Sequence, residues 1–243
     1  MIYSEKYRPR VSDFDKTGAL SLEAILEMAE DLASHHSATA GDMVLEGQRR
    51  GVSWVLLEWR VEIASRPEGD CVLNGTTWVR GKARSSICER DMVFSDTAGN
   101  ELIKAEAKLA MVDIAAGRFA RIDEKLLSPE FLEERHLFDD ELPRMRPYDD
   151  YDFEVRPMLR ESDLDLNGHV HNTKYLALVI EALPGGAETA RLVSSMRIAY
   201  LKPVKDCLSV VIKAKQTEQG IAFAIMNGEL LCSLIEFGFR SGE

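Results

Sequence analysis

The chain contains a second copy of its own opening turn, and only one of the two copies carries groups suited to catalysis. Ser12-Asp13-Phe14-Asp15-Lys16-Thr17-Gly18-Ala19-Leu20 returns 150 residues later as Ser162-Asp163-Leu164-Asp165-Leu166-Asn167-Gly168-His169-Val170. Ser, both Asp and Gly coincide, whereas Asn167 and His169 stand opposite Thr17 and Ala19. A second echo, at an offset of 136, sets Arg66-Pro67-Glu68-Gly69-Asp70-Cys71 against Lys202-Pro203-Val204-Lys205-Asp206-Cys207. A duplication that keeps the turn but holds an amide and an imidazole in one copy predicts one active half and one supporting half. The shrinking offset gives the first copy 14 extra residues around Ser34–Gly51, a candidate loop for shaping a ligand pocket.

Periodicity gives both halves the same plan. Leu22, Ile25, Leu26, Ala29, Leu32 and Ala33 recur at helical spacing behind Ser21, a good N-cap, and Ser34–Gly51 reads as a loop. In the second half Tyr175, Leu176, Val179, Ile180 and Leu183 form such a stripe, stopped by Pro184-Gly185-Gly186. Strand patterns follow the first helix near Leu57–Ile63, Cys71–Arg80, Ala83–Phe94 and Glu101–Ile114, with a turn at Thr97–Asn100. They follow the second near Leu192–Leu201, Leu208–Lys215, Ile221–Met226 and Leu230–Arg240. A sheet with one apolar face must cover it, and each half offers a single large apolar helix. The expected class is α+β, a curved antiparallel sheet wrapped around one long helix, made twice. The halves are 1–122 and 151–243; the acidic, Pro-containing stretch 123–150 is the linker, with a short helix around Ser128–His136.

Bulk properties exclude several roles. A formal net charge of −11 argues against a nucleic-acid binder or a protein held on anionic membranes. Cys71, Cys88, Cys207 and Cys232 lack metal-site spacing, and Cys71 and Cys207 fall at equivalent places in the repeat. They read as reduced thiols rather than a disulfide frame or zinc site, so neither metal nor cofactor is expected. Charges at Glu5 and Lys6 rule against a signal peptide, and no apolar run is long enough for a membrane anchor. The expectation is a soluble, cytoplasmic protein.

Asp165 to Tyr175 gathers a carboxylate, an amide and an imidazole beside a helix N-terminus, the parts that acyl hydrolysis needs. The same residues also suit an Asx-type turn with His169 capping or packing, and composition alone leaves both readings open.

The stretch Asp163-Leu164-Asp165-Leu166-Asn167-Gly168-His169-Val170-His171-Asn172-Thr173-Lys174-Tyr175 resembles the signature of the acyl-ACP thioesterases. Gly51–Ile63, with Trp54 and Trp59, is similar to that family's N-terminal half. The resemblance implies a tandem hotdog fold and thioester hydrolysis without metal or cofactor. It implies catalytic roles for Asp165, Asn167 and His169. On this reading His169 activates water, Asp165 holds its neighbours in place or shares the base role, and Asn167 donates to the carbonyl, the choice of base between Asp165 and His169 being left to geometry. It further implies that the first half holds the acyl chain, with Ile25, Met28, Trp54 and Asn172 as substrate-binding residues. The implied partner is an acyl carrier protein, docked by cations such as Arg49, Arg50, Lys202 and Lys205; monomer and homodimer both fit. Two departures stand out: Pro203 and Val204 occupy the places of a Glu and a Cys, and His171 replaces an Asn. Cys207 lies three residues late for a nucleophile. The alternatives are an acyl-CoA thioesterase and a non-catalytic lipid-binding double hotdog.

Overall fold

The alternating segments become strands β1 (Tyr3–Tyr7), β2 (Val52–Ile63), β3 (Leu73–Gly81), β4 (Ile87–Ser95), β5 (Glu101–Asp113) and β6 (Arg118–Phe119) in the first half. In the second they become β7 (Phe153–Val155), β8 (Val193–Tyr200), β9 (Val211–Gln216), β10 (Gly220–Asn227) and β11 (Leu230–Phe239). The helices are α1 (Leu22–Thr39), α2 (Asn172–Ala182) and the short α3 (Ala187–Ala190). The computed structural model describes residues 1–39, 47, 49–81, 85–122, 127–165 and 167–240. They divide into two compact units: Met1–Pro9, Glu27–Ala64 and Asp70–Glu141, and Arg10–Leu26, Ser65–Gly69 and Leu142–Glu243.

In the first unit the antiparallel order is β1-β3-β4-β5-β2, with β6 added to β5. Period-2 alternation buries Trp59, Val61 and Ile63 of β2, which carries a bulge between Leu56 and Glu58. Gly75 of β3 marks where the helix lies on the sheet. A Cβ there would sit 3.0 Å from the Tyr7 ring and 3.1 Å from both Leu32 and Phe94. The helix continues past the expected end at Ala33 to Thr39, so the predicted loop starts later. The reason is His36, a polar residue that is fully buried, its ring stacked between Tyr3 and Phe131 and its Nδ1 2.9 Å from Arg90 Nη1. Most of the remaining candidate pocket loop, 40–46 and 48, lies outside the described residues, as does the expected strand start at Ala83.

Polar side chains of β2–β5 fix the linker. Arg80 is almost fully buried and binds Asp91 through Nε (2.6 Å) and Nη2 (3.3 Å), Glu89 at 2.8 Å, Glu106, and His136 Nδ1 at 2.9 Å. Trp78 Nε1 donates to Arg135 O at 2.8 Å, and Arg60 holds Asp140 while lying 3.8 Å over the Phe138 ring. These contacts claim the backbone that a helix would need. The expected Ser128–His136 helix is therefore one 3-10 turn, Pro129–Phe131, capped by Ser128. Linker residues 123–126 lie outside the described residues.

In the second unit the order is β8-β11-β10-β9-β7, again antiparallel. Leu176 and Val179 of α2 are fully buried, and the Tyr175 ring meets Tyr200 of β8 edge-on at 5.4 Å. Met145 from the linker joins Ala199, Ala224 and Leu234 in a separate buried cluster.

Candidate active site

Asp165 closes its loop with main chain and side chain together. Its N–H donates to His169 O at 2.7 Å, and its carbonyl accepts the Gly168 N–H at 3.0 Å. Carboxylate Oδ1 accepts the N–H groups of Asn167 (2.7 Å) and His169 (3.0 Å). Gly168 has φ +73°, a conformation that favours glycine. One carboxylate oxygen thus builds the Asx turn, while the loop keeps Asn167 exposed and His169 half-buried, not sealed in the interior. Leu166 lies outside the described residues.

The loop runs directly into α2. His171 is the N-cap: its Nδ1 accepts the Thr173 N–H at 3.4 Å, the role Ser21 plays for Ala24 N–H at 3.0 Å before α1. The Thr173 N–H is therefore occupied and not available to a bound carbonyl. Asn172 is half-buried and its carbonyl accepts the Tyr200 O–H at 3.0 Å. Lys174 pairs with Glu23. The Tyr175 hydroxyl oxygen (Oη) accepts the Val204 N–H at 2.8 Å, and burial pushes that hydroxyl up to about 12, with the nearby Asp165 charge adding to the effect. Val204 O in turn accepts the Val170 N–H at 2.9 Å. Val204 thus acts through its backbone, tying the β8–β9 connection to the loop.

The first copy repeats the turn almost bond for bond. Asp15 N donates to Ala19 O and Asp15 O accepts from Gly18 N, both at 2.9 Å, while Oδ1 accepts the Thr17 N–H at 2.8 Å. It differs at Oδ2, which Arg66 Nη2 holds at 2.9 Å; Arg66 also donates to the carbonyls of Leu20 (2.8 Å) and Ala190 (3.0 Å). Burial alone would raise the Asp15 carboxyl, but Thr17 and Arg66 bring it below its ordinary value.

Backbone bonds also correct the second echo. Leu20 N–H donates to Pro67 O at 2.8 Å, as Val170 N–H does to Val204 O at 2.9 Å, and Gly69 (φ +65°) matches Asp206 (φ +55°). The spatial counterpart of Pro67 is Val204, one residue beyond the sequence echo, and that of Arg66 is the exposed Pro203. Cys71 and Cys207 are therefore not equivalent, because the match of Pro and Cys letters runs one residue out of step with the chain path. None of the four cysteines forms a disulfide, and burial raises the thiols of Cys71, Cys207 and Cys232. A raised thiol disfavours the thiolate that a nucleophile requires.

Asp165, Asn167, His169 and Asn172 thus share one loop–helix junction. Ile25 is fully buried on α1 in the same unit, at the position that Tyr175 takes in the second copy. Met28 is buried in the first unit, where half-buried Trp54 packs on Val79, Cys88, Met111 and Ile122. Arg49, Arg50, Lys202 and Lys205 are all exposed. Sequence reasoning missed Arg66, although it opens the second echo, and the bond between Tyr175 and Val204. No helix among the described residues is long and apolar enough to cross a membrane.

Comparison with known proteins adds to this geometry. The family model described as the acyl-ACP thioesterase N-terminal domain matches residues 1–129, and that of the C-terminal domain matches residues 148–229. The chain is 24% identical over 213 residues to the chloroplastic palmitoyl-acyl carrier protein thioesterase of Arabidopsis thaliana, covering 82% of this chain and 52% of that one. It is 26% identical over 201 residues to the same plant's oleoyl-acyl carrier protein thioesterase 2, covering 75% and 54%. The chain spans about half the length of these curated relatives. The solved 12:0-ACP thioesterase of Umbellularia californica superposes with a TM-score of 0.87 at 18% identity, covering 98% of this chain and 97% of that one. A putative oleoyl thioesterase from Lactobacillus plantarum gives 0.86 at 23%, covering 99% and 96%. These likenesses show the fold, the expected tandem hotdog.

Proposed function

Because the chain belongs to the acyl-ACP thioesterase family, we propose that it hydrolyses the thioester of a fatty acyl chain carried on acyl carrier protein. The observation that supports this reading is the Asp165 loop, in which the backbone N–H groups of Asn167 and His169 both bond Asp165 Oδ1, so that an amide and an imidazole flank the carboxylate in sequence where the twin loop has Thr17 and Ala19. His169 takes a proton from water, the resulting hydroxide adds to the carbonyl carbon, and the Asn167 amide donates to the carbonyl oxygen as it gains charge. The C–S bond then breaks, and the proton passes from His169 to the departing thiolate. Asp165 fixes the loop through Oδ1 and keeps Oδ2 for the charge that develops on the imidazole.

Asn172 is proposed to bind near the reacting group, and Ile25, Met28 and Trp54 to contact the acyl chain. Each buried methylene is worth about 0.8 kcal/mol, so a few such contacts suffice for chain-length preference. A reducing, cytoplasmic setting belongs to the same proposal, in keeping with four cysteines that form no disulfide.

The test is thiol release from acyl-carrier-protein substrates of graded chain length, beside the matching acyl-CoA esters. The expected result is multiple turnover with higher kcat/KM on the carrier-bound series. Preference for acyl-CoA would replace the substrate, and acyl retention without thiol release would overturn the hydrolase reading.

A further inference from the structure

The two copies of the turn serve as a comparison within one molecule. Asp15 accepts the Thr17 N–H through Oδ1, Asp165 accepts the N–H groups of Asn167 and His169 through Oδ1, and both close the same main-chain loop. A corresponding backbone bond ties each loop to the following connection, Leu20 N to Pro67 O and Val170 N to Val204 O. Gly69 and Asp206 mark the same left-handed step in each connection. The matching bonds make the residues just before the tie, Arg66 and Pro203, counterparts in the two copies. The Arg66 side chain is 5% exposed and its Nη2 sits 2.9 Å from Asp15 Oδ2. Pro203 is exposed and has no donor.

We propose that Pro203 is a positioning residue for hydrolysis: by keeping a cation out of this place it leaves Asp165 Oδ2 open toward the imidazole and the water. Arg66 shows the closed arrangement, with both oxygens of Asp15 engaged. The inference rests on the thioesterase reading. A carboxylate stabilises a neighbouring developing cation only while its own charge is uncompensated; a guanidinium in hydrogen-bond contact cancels most of that field. The first copy is thus disabled twice, by the loss of the amide and imidazole and by the neutralised carboxylate. The proline ring also has no N–H, so Val204 on its C-terminal side, whose N–H and carbonyl are both engaged, meets no competing donor from residue 203.

The experiment compares the full chain with Pro203→Arg, Pro203→Lys and Pro203→Met on acyl carrier protein substrate. Pro203→Arg is expected to lower kcat at least tenfold with KM changed by less than about twofold, and to move the acidic limb of the kcat/KM profile to lower pH. Pro203→Lys should follow more weakly, and Pro203→Met, of similar length without charge, should stay within about threefold of the parent. A crystal structure of Pro203→Arg should show the guanidinium within about 3 Å of Asp165 Oδ2. Equal kcat and equal acidic limbs in the Arg and Met variants would overturn the proposal, as would a Pro203→Arg structure with Oδ2 unpaired. An inactive parent would instead sink the thioesterase reading, and the structure would still decide whether position 203 controls the carboxylate.

Discussion

Asp165 and His169 are joined twice: Asp165 N–H reaches His169 O at 2.7 Å, and His169 N–H returns to Asp165 Oδ1 at 3.0 Å. The carboxylate is the scaffold of the loop and, in the proposed mechanism, a reagent; two substitutions separate the roles. Asp165→Asn keeps an oxygen acceptor for the turn, so the melting temperature should hold while kcat falls at least about a hundredfold. Asp165→Ala should lose the same activity and a further 1–2 kcal/mol or so of stability. Urea titration beside steady-state kinetics checks both, and an active Asp165→Asn enzyme would remove the charge from the mechanism.

Asn167→Ala and His169→Ala should each reduce kcat by about a hundredfold or more with stability little changed, because neither side chain is buried in the core. Thiol release under saturating substrate reads this directly. Retained kcat in His169→Ala would assign proton transfer elsewhere.

Two buried groups of the first unit give opposing pH dependences. Burial, reinforced by Arg90 and the N-terminal amine, depresses His36 from 6.5 to about 4. The unfolded chain then binds a proton that the fold refuses, so stability present above pH 6.5 falls as pH drops toward 4, by about 2–3 kcal/mol. Burial and the charges of Glu27 and Asp31 raise Glu30 from 4.5 to about 7, so its contribution is present below pH 4.5 and is lost as pH rises through 7. The parent should show a nearly level profile between pH 4.5 and 6.5. His36→Phe should leave stability falling with rising pH, and Glu30→Gln should leave it falling with falling pH. Denaturant midpoints across that range test the pair; parallel slopes in the two variants would contradict it.

Arg80 neutralises Asp91, which is fully buried, along with Glu89 and Glu106. Arg80→Met should therefore destabilise the fold by about 3–5 kcal/mol, since the carboxylates stay behind without their cation. Arg80→Met combined with Asp91→Leu should recover part of that loss. No recovery in the double variant would mean that the two side chains do not act as a pair.

Strand alternation around Trp59 and the helical stripe from Leu22 were legible because apolar spacing is local information. The end of α1 was not, because His36 looks like a loop residue until Tyr3 and Phe131 are seen on either side of it. The linker helix failed for a similar reason, since Trp78 and Arg80 bind the Arg135 carbonyl and the His136 ring from a distant strand. In the site, Asp165, Asn167 and His169 stand within one short motif and could be read directly. The counterpart of Arg66 could not, because the letters of Pro67 and Pro203 align while their hydrogen bonds do not.

Since Asp15 and Asp165 occupy matching loops of a single polypeptide, any change of salt, temperature or solvent reaches both at once. A spectroscopic difference between the two carboxyls cancels every response they share. In the proposed mechanism a substrate reaches Asp165 alone, so Asp15, held by Arg66, serves as the reference carboxyl within the same molecule.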